Sequence, residues 1–251
     1  MNRIKKTGLI LSIIGAVLII AGVILQLVMS RSGYTGNVRT EENEFSGVRE
    51  LVVISTSLPV KAYYGDTETV RVISTGGVPL VFSLENGLLR VTQDDSFTLS
   101  LFSLEQLKSG IEIILPRKLY ESIILSSSSG SITADSLNAV TYEVTTKSGN
   151  ISLGNVDERA DIRSESGNID FILSSLNKDM TVYGGDGDIS VLIAEDISLY
   201  LEFLTSSGYF TSDIFDKAYD KSFGDAAAIY NGGRNLLRIN TVGGDLNINK
   251  T

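Results

Sequence analysis

The chain has 251 residues and a formal net charge of −9, and it contains no cysteine, histidine or tryptophan. These absences exclude disulfides, zinc sites of the Cys/His type, cysteine nucleophiles and Ser-His-Asp triads. The basic residues Arg3, Lys5 and Lys6 stand at the N-terminus, and the rest of the chain is acidic. An acidic surface repels nucleic acid phosphates, so we expect no nucleic acid partner.

The N-terminus predicts a membrane anchor. Residues 1–7 form a basic head, and residues 8–29 carry no charge over a length that spans a hydrocarbon core of about 30 Å as a helix. A cleaved signal peptide and a buried core helix are the alternatives, but a signal peptide has a shorter apolar region and a small-residue cleavage site. The basic head predicts a single-pass protein of the cell membrane, with a cytoplasmic N-terminus and an extracellular C-terminal domain. Residues 8–29 would then contact membrane lipid.

A polar linker and a β-rich region follow the anchor. Residues 30–44 are polar and predict a tether. Residues 45–118 predict an N-terminal β region, with strands at 51–55, 60–64, 70–74, 80–84, 88–92 and 111–115. Within it, residues 51–64 resemble a degenerate repeat unit, with Leu58-Pro59 in place of a glycine turn. Residues 97–108 predict a loop or a single helical turn.

Residues 119–251 repeat one short phrase around a glycine. The glycines are Gly130, Gly149, Gly167, Gly187, Gly208 and Gly244. An apolar residue stands two positions after each of them: Ile132, Ile151, Ile169, Ile189, Phe210 and Leu246. Other apolar residues recur five positions before each glycine, and only small residues occur three before. This pattern predicts two alternating strands joined by a tight turn, in which glycine supplies a positive φ.

A period of about 19–20 residues is too short for a unit that contains a helix. It predicts an all-β protein with a β-solenoid of the parallel β-helix type, in which strands of successive coils pair about 4.8 Å apart. The apolar positions would then form inward ladders. An antiparallel sandwich with regularly spaced hairpins is the alternative. Residues 213–235 interrupt the register and predict either a distorted coil or a loop over the end of the stack.

The polar positions of the repeat offer little chemistry. A ladder after the turn glycines, with Asp186 beside it, is a candidate for calcium, but ordinary turn preferences explain it as well; its members are Ser131, Asn150, Asn168, Asp188, Tyr209 and Asp245. Paired carboxylates for sugar hydrolysis are a second candidate, drawn from Asp157, Glu158, Asp161, Glu165 and Asp170. No pair stands out from a solvated acidic face. We therefore predict no catalytic residue, no metal site and no cofactor.

Aromatic residues cluster in and beside the irregular segment. They are Tyr209, Phe210, Phe215, Tyr219, Phe223 and Tyr230. Such a cluster is typical of a partner-binding patch or of a cap on the exposed end of a repeat stack. We favour the cap.

Several phrases resemble the bacterial DUF4097 family, whose members are called "putative adhesins". They are Ser148–Ile151, Ser166–Ile169, Gly187–Ile189, Glu85–Leu89 followed by Ile111–Pro116, and the closing Thr241–Ile248. With its N-terminal anchor the chain is also similar to LiaG-like membrane-anchored envelope proteins of Gram-positive bacteria. The resemblance covers residues 45–251. It implies surface adhesion and brings no catalytic residues with it.

These observations together predict a non-enzymatic, membrane-anchored extracytoplasmic protein. We expect it to act as an envelope scaffold or an adhesion and interaction module, with an envelope or cell-surface protein as its partner. An accessory or regulatory role in envelope-stress signalling is the alternative. A carbohydrate-active enzyme is a third and less favoured interpretation.

Overall fold

The computed structural model describes residues 39–94, 109–157, 159–215 and 222–251. The predicted head, the predicted anchor at 8–29 and the predicted loop at 97–108 lie outside these ranges. Within them, no helix combines the length and the apolar character needed to cross a membrane.

The described residues are all-β, as predicted. Alternating apolar and polar residues put every second side chain into the core, which gives strands throughout. In chain order they are β1 (Thr40–Phe45), β2 (Glu50–Ser55), β3 (Val60–Tyr64), β4 (Val70–Thr75), β5 (Leu80–Glu85), β6 (Leu88–Gln93), β7 (Gly110–Leu115), β8 (Tyr120–Ser127), β9 (Ile132–Asp135), β10 (Ala139–Thr146), β11 (Ile151–Val156), β12 (Ala160–Ser164), β13 (Ile169–Leu173), β14 (Met180–Gly184), β15 (Ile189–Ile193), β16 (Leu199–Leu204), β17 (Tyr209–Ser212), β18 (Ser222–Phe223), β19 (Ala226–Tyr230), β20 (Asn235–Asn240) and β21 (Leu246–Lys250).

These strands form two sheets that enclose one core. Sheet A has the order β1-β4-β7-β3-β9-β11-β13-β15-β21-β17-β18. Sheet B has the order β19-β16-β20-β14-β12-β10-β8-β2-β6-β5. Each repeat unit gives one strand to sheet B, turns at its glycine, and gives the next strand to sheet A.

Successive units pair in parallel and in register. In sheet A, Ile132 lies opposite Ile151, which lies opposite Ile169 and then Ile189. In sheet B the equivalent row is Leu125, Val144, Ile162 and Val182. These residues are fully buried between the sheets. Parallel, in-register pairing is the arrangement expected of stacked coils, whereas the hairpins of an antiparallel sandwich would pair in the opposite sense.

The N-terminal region contributes two further coils. β2 pairs in parallel with β8, and β3 with β9, so residues 50–64 form a coil directly next to the first glycine unit, β8–β9. This confirms the interpretation of residues 51–64 as a degenerate unit. β6 and β7 then pair in parallel with β2 and β3 on the far side. The second coil in the chain is therefore the outermost at this end of the stack.

The C-terminal coil is out of chain order as well. β20 lies between β14 and β16, and β21 lies between β15 and β17, with all four pairings parallel. The last unit of the chain is thus inserted between the fourth and fifth glycine units. The long interval between Gly208 and Gly244 includes β18 and β19, which lie at the end of the stack, before the chain returns to form β20.

Antiparallel strands cover both ends. At one end, β4 and then β1 extend sheet A, while β5 extends sheet B. At the other end, β18 pairs with β17 and β19 with β16. Two expectations are corrected here. Residues 40–44, assigned to the linker from sequence, belong to β1. The irregular segment 213–235 covers the end of the stack, as one of its two alternatives expected, but its described residues do so with the strands β18 and β19 and not as a loop.

Candidate interaction surface

The turn glycines form a column in which each packs on the backbone of a neighbouring coil. A Cβ on Gly149 would lie below 3.0 Å from the carbonyl of Gly130, and one on Gly167 would meet the carbonyl of Gly149 in the same way. None of the six has a φ in the left-handed region. The expected reason for glycine was therefore wrong: close approach between coils, and not a positive φ, excludes a side chain here.

The small residues three positions before these glycines hold the turn with hydrogen bonds. The amide of Gly130 donates to Ser127 Oγ, and that of Gly167 donates to Ser164 Oγ, each at 2.9 Å. Thr146 Oγ1 donates to the carbonyl of Gly149 at 2.6 Å. These hydroxyls are buried, so the bonds satisfy polar groups that would otherwise be costly. Sequence reasoning identified the small size at this position but missed the hydroxyl.

The predicted polar ladder exists, and its oxygens bind backbone. Asn150 Oδ1 accepts from the amide of Asn168, and Asn168 Oδ1 accepts from that of Asp188, both at 3.0 Å. Asp188 Oδ1 accepts from Asp245 N, and Asp245 Oδ1 from Tyr209 N. One oxygen of each of these two asparagines and two aspartates thus already has a donor. Across the described ranges, no three acidic side chains are grouped closely enough to hold a metal ion.

Gln93 makes a second buried network that the sequence did not indicate. Its Oε1 accepts hydrogen bonds from the amides of Thr56, Ser57 and Leu58 and from Ser55 Oγ, at 3.0–3.3 Å. The side chain is 8% exposed. Gln93 thereby holds the turn of the degenerate coil, where Leu58-Pro59 replaces the glycine phrase. No short-range pattern marks this contact, because the partners are 35 to 38 residues apart.

The candidate carboxylates are not brought together. Asp157 pairs with Arg159, and Asp161 pairs with Arg163. Burial alone would raise the pKa of Asp157, but the hydrogen bonds and charge of Arg159 outweigh burial and lower it. Asp170 lies on sheet A, whereas Asp161 lies on sheet B. Glu165 is exposed at the glycine turns, and Glu158 lies outside the described residues.

The aromatic residues pack over the end of the stack. Phe215 contacts Phe210 and Tyr230, with ring centroids 5.9 and 6.1 Å apart, and Phe210 contacts Phe203 at 6.2 Å. Phe215 is only 9% exposed, whereas Tyr209 is 49% exposed and points away from the core. These contacts favour the cap over a partner-binding patch. Tyr219 and the side chain of Phe223 lie outside the described part.

The outer face of sheet B carries a depression with mixed chemistry. It lies over β12, β14 and β20 and measures about 410 Å³. We call it the Tyr183 depression. Its polar lining residues are Arg159, Asp161, Arg163, Asp179, Thr181, Tyr183 and Asn240. Arg163 lies opposite Tyr183 on the next strand, and Tyr183 lies opposite Asn240 on the one after. The parallel register therefore places these three side chains in one row.

The charges in the Tyr183 depression are balanced. Arg163 donates from Nε and Nη2 to the two oxygens of Asp161, both at 2.9 Å, and these bonds raise the pKa of its guanidinium. Asp179 Oδ1 accepts from the amide of Leu236 at 2.8 Å. Tyr183 is 41% exposed, so its ring is accessible on the outer face of the sheet. Of the residues that line the depression, only Asp161 was singled out from the sequence, as a candidate carboxylate.

A family model matches most of the chain. The model of the Toastrack DUF4097 family matches residues 48–159 and again residues 123–249. The two matches together span the coils from β2 to β21. No curated protein matches the chain.

The likeness of the chain to solved structures is distant. One, described as a "putative cell adhesion protein" from Clostridium sporogenes, is 16% identical with a TM-score of 0.49, covering 85% of this chain and 100% of that one. A "putative adhesin" from Bacteroides fragilis is 12% identical with a TM-score of 0.41, covering 85% and 97%. A "putative lipid binding protein" from Parabacteroides distasonis is 15% identical with a TM-score of 0.34, covering 85% and 97%. These likenesses are too distant to transfer a function.

Proposed function

This chain belongs to the Toastrack DUF4097 family, and we propose that it is a non-enzymatic binding module of the bacterial cell envelope. Residues 8–29 would hold it in the membrane, and the two-sheet stack would be displayed outside the cell. Binding, and not catalysis, would be the work of the stack.

The anchor is supported by the sequence. The uncharged run at residues 8–29 has the length of a membrane-spanning helix, and the basic residues before it favour a cytoplasmic N-terminus. The chain has no cysteine, so single cysteines can report its topology. We expect a membrane-impermeant maleimide to label Thr251→Cys in intact cells and to label Asn2→Cys only after lysis. Labelling of both positions in intact cells, or of neither, would contradict this orientation.

The outer face of sheet B carries the proposal. In the Tyr183 depression an exposed aromatic ring, two arginines, two aspartates and an asparagine converge on one concave patch. Binding sites commonly combine concavity with a few converging polar groups. The patch lies on a broad face of the stack, clear of the antiparallel caps.

The stack holds this face rigidly. Beneath the depression, Ile162, Val182 and Ile239 are fully buried and lie in register on adjacent parallel strands. Binding on such strands requires little ordering of the backbone, because the strands are already fixed. Preorganisation of this kind favours affinity and specificity.

The direct test is binding to the envelope. The full chain in lipid nanodiscs should retain cell-wall fractions or envelope proteins from intact cells. The variant Asp161→Ala/Arg163→Ala, which removes one exposed ion pair, should weaken retention at least tenfold. The control Arg49→Ala/Glu121→Ala removes another exposed ion pair, whose residues do not line the depression, and should bind normally. Equal loss in both variants, or in neither, would argue against the Tyr183 depression as the binding surface.

A further inference from the structure

We propose that the Tyr183 depression binds a neutral saccharide. This proposal rests on the proposed function, because it specifies the ligand of the same surface. It follows from the kinds of polar group that line the depression, from the position of the aromatic ring and from the balance of charge.

Donors and acceptors are mixed within the depression. Arg163 donates to Asp161 from Nε and Nη2, and its Nη1 takes no part in those two bonds. Asp179 Oδ1 accepts from the amide of Leu236, and Oδ2 is the second acceptor of this carboxylate. The Tyr183 hydroxyl and the Asn240 amide can each donate and accept. A ligand that satisfies this set must carry groups that both donate and accept, which is the property of hydroxyls.

The charge balance argues against ionic ligands. Asp161 and Asp179 offset the attraction that the two arginines would exert on an anion, and Arg159 and Arg163 offset the attraction of the aspartates for a cation. The surrounding chain is acidic, with a net charge of −9, which repels anions. A purely apolar ligand would leave these polar groups desolvated without partners. A neutral polyhydroxylated ligand avoids all three costs.

The ring of Tyr183 supplies the apolar part of the site. It lies between Arg163 on β12 and Asn240 on β20, so planar polar side chains flank it on both sides. A sugar ring is amphipathic, with C–H groups on its faces and hydroxyls around its rim. Its face can pack on the tyrosine while its rim reaches the flanking groups, much as amphipathic rings do at interfaces.

Met180 provides a local reporter for the test. The chain contains three methionines, at positions 1, 29 and 180, and only Met180 lies in the described stack. It lines the depression and is 2% exposed. Methyl-labelled methionine in the full chain, held in lipid nanodiscs free of sugar detergents, therefore gives one NMR signal for this site.

Three tetrasaccharides of similar length should be titrated: neutral cellotetraose, anionic tetragalacturonate and the cationic chitosan tetramer. We expect cellotetraose to shift the Met180 signal saturably and the two charged probes to bind at least tenfold more weakly. Tyr183→Ala and Asn240→Ala should each weaken cellotetraose binding at least tenfold. The control Tyr209→Ala removes an exposed tyrosine at the glycine turns and should leave binding unchanged. A Met180 methyl signal that stays away from the random-coil position shows that each variant is folded.

The proposal is overturned if cellotetraose gives no saturable shift, if a charged probe binds more tightly, or if Tyr183→Ala and Asn240→Ala bind as well as the parent. Its failure can be separated from failure of the proposed function. If envelope binding still depends on Asp161 and Arg163 but no saccharide binds, the surface recognises a protein and the saccharide proposal alone fails. If envelope binding is independent of that pair, the proposed binding surface fails with it.

Discussion

Single atoms decide the shape of the glycine turns. At each turn the backbone of one coil lies against the backbone of the next, and the space between them has no room for a methyl group. The adjacent column of serine and threonine hydroxyls and the ladder of asparagine and aspartate oxygens then satisfy the turn amides. At the residue scale the repeat phrase is therefore a packing and hydrogen-bonding device.

Two neighbouring glycines test the close-approach explanation. A Cβ on Gly244 would fall below 3.0 Å from the Gly187 carbonyl, whereas one on Gly243 would lie 3.5 Å from Asp186 Oδ1 and 3.6 Å from Ser207 Oγ. We expect Gly244→Ala to lower the free energy of unfolding by about 3 kcal/mol through overpacking. Gly243→Ala should change it by less than about 0.5 kcal/mol. Urea denaturation followed by circular dichroism measures both, and equal effects would contradict the explanation.

Gln93 should behave as a structural acceptor. Gln93→Leu would leave the amides of Thr56, Ser57 and Leu58 without their acceptor in a buried turn. We expect this change to cost about 3 kcal/mol of unfolding free energy. Gln93→Glu keeps an acceptor oxygen and should therefore recover more than half of that lost stability at neutral pH. If the two variants were equally unstable, the amide contacts would not be the reason for the buried glutamine.

Asp157 should make stability depend on acid pH. Its folded pKa lies below the ordinary value of 3.8, despite burial, because of Arg159. A lowered folded pKa means that the ion pair stabilises the fold above about pH 4 and that this contribution is lost as the pH falls through the folded pKa. Solvent screening keeps the effect below about 1 kcal/mol. The difference in unfolding free energy between the parent and Asp157→Asn should therefore shrink between pH 5 and about pH 2, and a difference that grows on acidification would contradict this.

Capping strands are the decisive elements at the ends of the stack. A coil at an open end would expose its ladder residues and a row of unpaired backbone groups. β5, β4 and β1 cover one end, and β18 and β19 cover the other, in each case by switching from parallel to antiparallel pairing. Beneath β19, Phe215 completes the apolar cover.

Weakening the cap should speed amide hydrogen exchange near that end of the stack and not throughout the molecule. Phe215→Ala should lower the free energy of unfolding by about 3 kcal/mol, because the ring packs on Phe210 and Tyr230. Hydrogen exchange should quicken in β16, β17 and β19 but remain slow in β10–β13. Tyr209→Ala, which removes an aromatic ring of 49% exposure from the same region, is the control and should change little. Uniform acceleration across the stack would show that the end is not an independent unit.

The order of the coils governs the stability of the whole molecule. The C-terminal coil β20–β21 lies inside the stack, between β14–β15 and β16–β17. The N-terminal region shows the same arrangement, because β6–β7 lies outside β2–β3. The first coil, β2–β3, and the last coil, β20–β21, are therefore each held between two neighbouring coils.

This order makes an unusual prediction for truncation. A chain ending at residue 234 lacks an interior coil, so β16 and β17 lose their parallel neighbours β20 and β21. A chain ending at residue 196 lacks the whole distal end but leaves a contiguous stack up to β15. We expect the shorter chain to retain cooperative thermal unfolding and the longer one to lose it. If residues 197–234 instead stacked directly on β14–β15, both would unfold cooperatively, and the coil exchange would not be required for folding.

The sequence by itself determined the strands, the turn positions and the ladders. Alternating side chains and turn residues act over a few positions, so the strands at 51–55, 60–64 and 111–115 could be placed to within one residue. The Asn86-Gly87 hairpin could be expected for the same reason, and both residues have positive φ. The expected role of the turn glycines was wrong, because their constraint comes from another coil and not from local φ.

Only the tertiary structure decided which coil lies beside which. Ile189 can pack as well on Phe210 as on Leu246, because each coil presents a similar apolar ladder, so local patterns do not encode the order. The structure places Leu246 next to Ile189 and puts Phe210 beyond it. The same long-range pairing completes the Tyr183 depression. Arg163 and Tyr183 each stand four residues before a turn glycine in successive units, so the repeat already places them side by side. Asn240 reaches Tyr183 only because the C-terminal coil is inserted next to β14, and no local spacing in the sequence indicates that contact.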